Sequence, residues 1–263
     1  MNRIKSLFIS GDHKIFSVYF TAGFPALNDT LRVIRELDKA GVDLIEIGIP
    51  FSDPVADGPV IQNSSEKALY NGMNLNLLFD KLAKVREVTE MPLIMMGYLN
   101  PVLKFGVEAF LEKCRSTGID GTIIPDLPLE EYQESYRKLF RKYGIINIFL
   151  ISPQTTTQRI LDLDAASEGF LYIVSTSSTT GPVTKFNDES ISYFKRIRDM
   201  KLKSPGLIGF GISNNETYRQ ACTYADGAII GSAFVKALNE KNKLEVNVGR
   251  FLTEFKNGNE VMK

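Results

Sequence analysis

Residues 27–48 read LNDTLRVIRELDKAGVDLIEIG, and a change of period inside that stretch decides the fold. From Leu27 to Gly41 apolar side chains recur three and four apart with charges between them, the pattern of a helix that buries one face. Gly41 then offers a left-handed cap at little conformational cost. From Leu44 the apolar residues fall into a short β-branched run of period two, which predicts a strand over Leu44–Ile47. A helix that ends on glycine and feeds a short apolar strand is one unit of an alternating α/β chain.

The same unit recurs towards both ends. Strands are expected at Ile15–Thr21, Leu44–Ile47, Leu93–Met96, Thr122–Ile124, Asn147–Ile151, Phe170–Val174, Leu207–Phe210 and Ala228–Ile230. Between them lie amphipathic segments such as LNLLFDKLAKVREV (75–88), VEAFLEKCRSTG (107–118), LEEYQESYRKLFRKYG (129–144) and DESISYFKRIRDMK (188–201), two of which end at Gly118 and Gly144. Alternation of this kind implies a parallel sheet with helices outside it. Eight units favour closure into a (β/α)8 TIM barrel. An open doubly wound sheet would carry a G-x-G-x-x-G turn after an early strand, whereas the first strand runs into TAGFPALND (21–29). No linker or low-complexity stretch interrupts the chain. One domain over 1–263 is expected, with a short N-terminal helix and a short extra helix, SAFVKALNE, after the eighth strand.

The 263 residues suit such a barrel, which typically needs about 250. The apolar fraction of 44% and charged fraction of 24% are those of a globular protein. Lys plus Arg (31) balances Asp plus Glu (31), so composition gives no sign of a nucleic-acid or membrane-surface partner. The N-terminal MNRIKSLFISGDHK has charges breaking its apolar run, unlike a signal peptide, and no apolar stretch reaches the roughly 18 residues of a membrane span. Cys114 and Cys222 read as reduced core thiols, and a reducing cytoplasm is the expected compartment. His13 is the one histidine, set in a polar turn. That scarcity argues against a Ser-His-Asp triad, a Cys-His pair and histidine-rich zinc sites; no metal ligands are assigned.

In barrels of this class the reacting groups lie at the C-terminal ends of the strands. In Leu44-Ile45-Glu46-Ile47, Ile45 and Ile47 share one face and Glu46 takes the other, towards the barrel interior. Burial there would raise the glutamate's pKa into the range useful for proton transfer. Eleven residues on, Asp57 precedes Gly58-Pro59 in a stiff turn able to aim its carboxylate into the mouth; Asp53, in the same loop, is equally suited to bracing it. Glycine turns follow the last three predicted strands, at Thr180-Gly181, Gly209-Phe210-Gly211 and Gly231-Ser232. Together they suggest an anion site, with the SAFVKALNE helix adding its N-terminal amides. The hydroxyl-rich Ser175–Pro182 segment has the length of a lid. Tyr19, Leu99, Ile151, Tyr172 and Phe210 are candidates for the wall of a flat pocket.

LIEIGIPFSDPVADGPVIQ (44–62), preceded by TAGFP and followed by GFGIS and GSAFVK, resembles the tryptophan synthase alpha chain family, in order and nearly end to end. The PFSDPxADGPxIQ segment is highly specific to that family. The resemblance implies cleavage of indole-3-glycerol phosphate to indole and glyceraldehyde 3-phosphate. It implies that Glu46 is the acid–base glutamate and that Asp57 faces the indole nitrogen. It places Thr180, Gly181, Gly211, Gly231 and Ser232 at the phosphate and Tyr172 and Phe210 in the indole pocket, where Tyr19 and Leu99 are candidates from their strand-end positions. The implied partner is a beta chain that carries pyridoxal phosphate and sits over the mouth in an α2β2 assembly, with no cofactor in the alpha chain itself. One departure stands out: many relatives read S-R-x-G-V-T-G where this chain reads STSSTTG (175–181).

The residues suit that chemistry. A retro-aldol cleavage needs an electron sink, and the strand ends carry no lysine for a Schiff base. Indole is its own sink once C3 is protonated, so two carboxyl groups suffice. Two other readings stay open at this level: another phosphate-binding barrel lyase or isomerase with Mg²⁺ among Glu46, Asp53 and Asp57, or a subunit that chiefly activates a beta chain.

Overall fold

The computed structural model describes residues 2–9, 13–55, 57–175 and 185–257. Eight parallel strands close in sequence order into a barrel: β1 (Ile15–Thr21), β2 (Leu44–Gly48), β3 (Leu93–Met96), β4 (Gly121–Ile123), β5 (Ile146–Ile151), β6 (Leu171–Val174), β7 (Gly206–Gly209) and β8 (Gly227–Ile230). β1 pairs with β8 to close the ring. Each predicted strand is present, with ends displaced by a residue in several cases. The seventh stops at Gly209 rather than Phe210 because Phe210 has a left-handed backbone, φ 64°, that no strand accommodates.

Period-two alternation divides the side chains between two cores. Val18, Phe20, Ile45, Ile47, Met95, Phe149, Ile151, Ile173 and Ile208 point outward and pack under the helices. Ile15, Leu44, Ile94, Ile123, Ile148, Tyr172, Leu207 and Ile229 fill the barrel. The N-terminal helix α1 (Arg3–Ile9) plugs the bottom, its Ile4 fully buried and its Phe8 ring 5.8 Å from that of Phe170.

The outer layer holds α2 (Thr30–Lys39), α3 (Pro59–Tyr70), α4 (Leu75–Leu82), α5 (Leu99–Phe105) and α6 (Val107–Thr117). It continues with α7 (Leu129–Glu131), which runs through a π turn at Tyr132–Tyr136 into α8 (Arg137–Tyr143), then α9 (Thr157–Ala166), α10 (Asp188–Asp199) and α11 (Asn215–Cys222). Gly41, Gly118 and Gly144 take positive φ at the helix ends expected of them. The short helix after β8 is α12 (Ser232–Leu238). A further helix, α13 (Leu244–Asn257), was not among the expected elements. Its Leu244, Val248, Leu252 and Phe255 form one buried stripe, and Phe255 stacks 5.3 Å from Phe16 of β1. Among the described residues no helix is long and apolar enough to cross a membrane.

One device recurs at the bottom of the barrel. Asp43, Asp120 and Asp226 each stand just before an even-numbered strand, and each is bonded twice to one residue of the strand before it. The Asp43 amide donates to Phe16 O (3.0 Å) and its Oδ2 accepts from Phe16 N (2.8 Å). Asp120 does the same with Leu93 (2.9 and 3.0 Å), and Asp226 with Gly206 (2.9 and 2.8 Å). Asp120 also accepts from Arg86 at 2.5 Å and Arg3 at 3.3 Å. These aspartates satisfy amides at the strand starts that would otherwise be left unpaired.

Candidate active site

β2 carries its acid where strand alternation puts it. Ile45 and Ile47 lie in the outer core, while Glu46 is fully buried on the inner face, beside Tyr19 of β1 and Ile94 of β3 in register. Glu46 Oε1 accepts one hydrogen bond, from Ser17 Oγ at 3.3 Å; Oε2 is buried with no partner. Loss of hydration pushes its pKa up to about 8, against the smaller opposing effect of the Ser17 hydroxyl. Near neutrality the side chain is therefore a carboxylic acid.

Asp57 lies in the loop after β2, and the start of α3 holds that loop in place. Its amide donates to Pro54 O (3.0 Å), and its carbonyl accepts from Gln62 Nε2 (2.8 Å). Pro59 opens α3, where its missing N–H costs nothing. The half-buried Asp57 carboxyl accepts from Tyr98 Oη at 3.3 Å, and the Tyr98 ring stacks 5.1 Å from Phe51. Burial raises the Asp57 pKa to about 6, with the Tyr98 bond pulling the other way. Between about pH 6 and 8 the mouth thus holds one carboxylate and one carboxylic acid. Two acids whose surroundings separate their pKa values are equipped for different roles.

Two tyrosines wall this space, each over a glycine on the next strand. A Cβ on Gly48 would overlap the Tyr19 hydroxyl, and one on Gly209 would overlap that of Tyr172. Burial, and after it the nearby Asp57 and Glu46 carboxyls, push both phenols well above their ordinary pKa. Phe210 meets Tyr172 edge to face, 6.2 Å between centroids at 72°. Its strained backbone is held by Ser175 Oγ, which donates to Phe210 O at 2.6 Å. A non-glycine residue at positive φ is costly and gathers at functional sites.

The other expected residues divide. Gly211 follows Phe210 in the same left-handed turn, and Gly231 stands beside Tyr19, with Ser232 exposed at the start of α12. Thr180, Gly181 and the lid segment from Thr176 onward lie outside the described residues. Leu99 opens α5 and packs against the outer core, and Ile151 faces the helices; the inner-face side chains at those strand ends are Met96 and Leu150. Asp53 is exposed and accepts from Ser52 Oγ at 2.6 Å. Among the described residues no three His, Cys, Asp or Glu side chains gather as a metal ion would require. Sequence reasoning missed Ser17, Tyr98, Gln62 and Met96. Parity alone would have found Ser17, as the polar inward position of IFSVYFT, and Met96, two residues beyond the inward Ile94.

Fold and site together define a (β/α)8-barrel enzyme with two candidate acid–base carboxyls, Glu46 and Asp57, at its C-terminal mouth. The family model described as tryptophan synthase alpha chain matches residues 9–262. The tryptophan synthase alpha chain of Christiangramia forsetii is 54% identical over 256 residues, covering 97% of this chain and 99% of that one. The crystal structure of the alpha chain from Legionella pneumophila superposes with a TM-score of 0.86 at 32% identity, covering 98% and 97% of the two chains. A chain of the tryptophan synthase complex from Pyrococcus furiosus does so with a TM-score of 0.83 at 31% identity, covering 92% and 98%. The chain belongs to the tryptophan synthase alpha chain family.

Proposed function

We propose that this barrel cleaves indole-3-glycerol phosphate into indole and glyceraldehyde 3-phosphate, acting as a carbon–carbon lyase in tryptophan biosynthesis, with Glu46 and Asp57 as its catalytic pair. The observation that carries the reading is the buried Glu46 carboxyl, kept protonated near neutrality with one oxygen unpartnered among the described residues, in a mouth whose Asp57 is ionised at the same pH. Glu46 gives its proton to C3 of the indole ring. Positive charge develops at the ring nitrogen, where the Asp57 carboxylate stabilises it. The Glu46 carboxylate then takes the proton of the glycerol hydroxyl next to the ring. As the carbon–carbon bond breaks, its electron pair restores the aromatic ring, the aldehyde forms and Glu46 regains its acid form. Such transfers contribute about 10²- to 10⁴-fold each.

The indole would lie against Tyr172, Phe210 and Tyr19, with its phosphate at Gly211, Gly231 and Ser232 and at Thr180 and Gly181. Adjacent glycine turns let amide hydrogens approach an anion closely, which supports that placement. No cofactor is assigned to this chain. A beta chain bearing pyridoxal phosphate is its proposed partner, docked over the mouth in an α2β2 assembly in the cytoplasm. The test is indole release from indole-3-glycerol phosphate by the purified chain, with and without a beta chain. The expected kcat/KM profile is a bell that rises through about pH 6 as Asp57 ionises and falls through about pH 8 as Glu46 loses its proton. No indole from either preparation would refute the assignment.

A further inference from the structure

Inside the barrel, Ser17 interrupts a layer that is otherwise aliphatic. It is fully buried on the inner face of β1, level with Leu44 of β2 and Ile229 of β8. A hydroxyl is costly in such surroundings unless it is hydrogen-bonded. The bond it makes is to Glu46 Oε1 at 3.3 Å, while Oε2 of the same carboxyl is buried without a partner.

We propose that Ser17 is a positioning residue for the cleavage: by occupying Oε1, it decides which oxygen of Glu46 carries the proton that is transferred. This rests on the acid–base reading of Glu46 above. The Ser17 hydroxyl donates to Oε1 at 3.3 Å, and the better acceptor of a protonated carboxyl is its carbonyl oxygen. The acidic hydrogen therefore sits on Oε2, the oxygen with no other partner, and is presented to the ligand. Without Ser17 the two oxygens become interchangeable and half of the carboxyl orientations point the proton into the aliphatic layer. The same bond favours the charged form of Glu46 and so eases release of the proton. The ionisable groups that sense Glu46 are Tyr19 of β1 and Tyr172 of β6, both of which also sense Asp57 of the loop after β2; Ile94 of β3 carries no charge. Burial keeps both phenols neutral through the range in which Glu46 titrates.

The test combines kinetics with infrared spectroscopy of the resting chain, the Glu46 carboxyl band being identified by its loss in Glu46→Gln. In Ser17→Ala, kcat for indole release should fall about tenfold with KM little changed, the effect of one hydrogen bond to an ionisable group. The alkaline limb of the pH profile should move up by about one pH unit, and the carboxyl band should move to the frequency of a free acid. Ser17→Thr and Ser17→Val match in shape and differ in the hydroxyl; Thr should retain the wild-type band and limb, and Val should reproduce Ala. An unmoved band and limb in folded Ser17→Ala, or equal behaviour of the Thr and Val variants, overturns the proposal. A band that moves in a chain whose wild type releases no indole upholds the role of Ser17 on Glu46 and refutes the proposed reaction instead.

Discussion

The two ends of this barrel treat acidic side chains in opposite ways. At the bottom, the side chains of Asp43, Asp120 and Asp226 each accept from a backbone amide of the preceding strand, and Asp120 from two arginines as well. At the mouth, Glu46 has one hydroxyl donor for two oxygens, and Asp57 accepts from Tyr98 at 3.3 Å. The bottom acids tie neighbouring strands together. The mouth acids are held short of the partners that would satisfy them, as the proposed proton transfers require. In (β/α)8 barrels conserved architecture separates stability at one face from chemistry at the other; here that separation can be read in hydrogen bonds.

Substitutions at the two ends should therefore separate activity from stability. Glu46→Gln should lower kcat for indole release by about 10³- to 10⁴-fold, within the range for a general acid–base group. It should not weaken the fold. The wild-type glutamate binds its proton more tightly folded (pKa about 8) than unfolded (4.5). Its contribution to stability is full below about pH 4.5 and is lost as pH rises through about 8, at a slope of about 1 kcal/mol per pH unit between those values. Urea unfolding of Glu46→Gln at pH 5 and pH 8 should lack that slope. Asp120→Ala should do the reverse: a loss of about 3–5 kcal/mol in urea unfolding, because Arg86 and the Leu93 amide lose their partner, with kcat per folded molecule retained. A smaller effect is expected of Asp57→Asn, about 10²-fold in kcat, together with loss of the acidic limb near pH 6. Smallest is Tyr98→Phe. Removing a donor that lowers the Asp57 pKa should raise the acidic limb above 6, with a roughly threefold fall in activity at pH 6.5 and little change at pH 8.

Much of this contrast was legible in the sequence, and the reasons differ by level. All eight strands could be read because β-branched runs between glycine-capped helices carry their own period. Glu46 could be read because parity within LIEIG puts it opposite two isoleucines, and Asp57 because Gly58-Pro59 fixes its turn. What surrounds them could not. That Ser17 reaches Glu46, and Tyr98 reaches Asp57, depends on strand register and on which loops meet over the mouth, information held by no single segment. Leu99 and Ile151 were expected near the pocket because they stand at strand ends; helix entry turns the first towards the outer core and alternation does so for the second, in favour of Met96 and Leu150. The seventh strand looked one residue longer because Phe210 has a strand former's side chain on a backbone that Gly211 and Ser175 hold left-handed. Helix α13 went unread although Leu244, Val248, Leu252 and Phe255 have helical spacing, and its place against β1 is set by contact with Phe16.

The central claim, that the interior of the barrel keeps Glu46 protonated while Asp57 is charged, is open to direct titration. Carbon-13 NMR of glutamate-labelled chain, with the Glu46 carboxyl resonance assigned from Glu46→Gln, should show that carboxyl titrating near pH 8, well above the exposed glutamates. A Glu46 resonance that titrates near the ordinary 4.5 would mean a carboxylate at neutral pH with no proton to give, and would contradict the account.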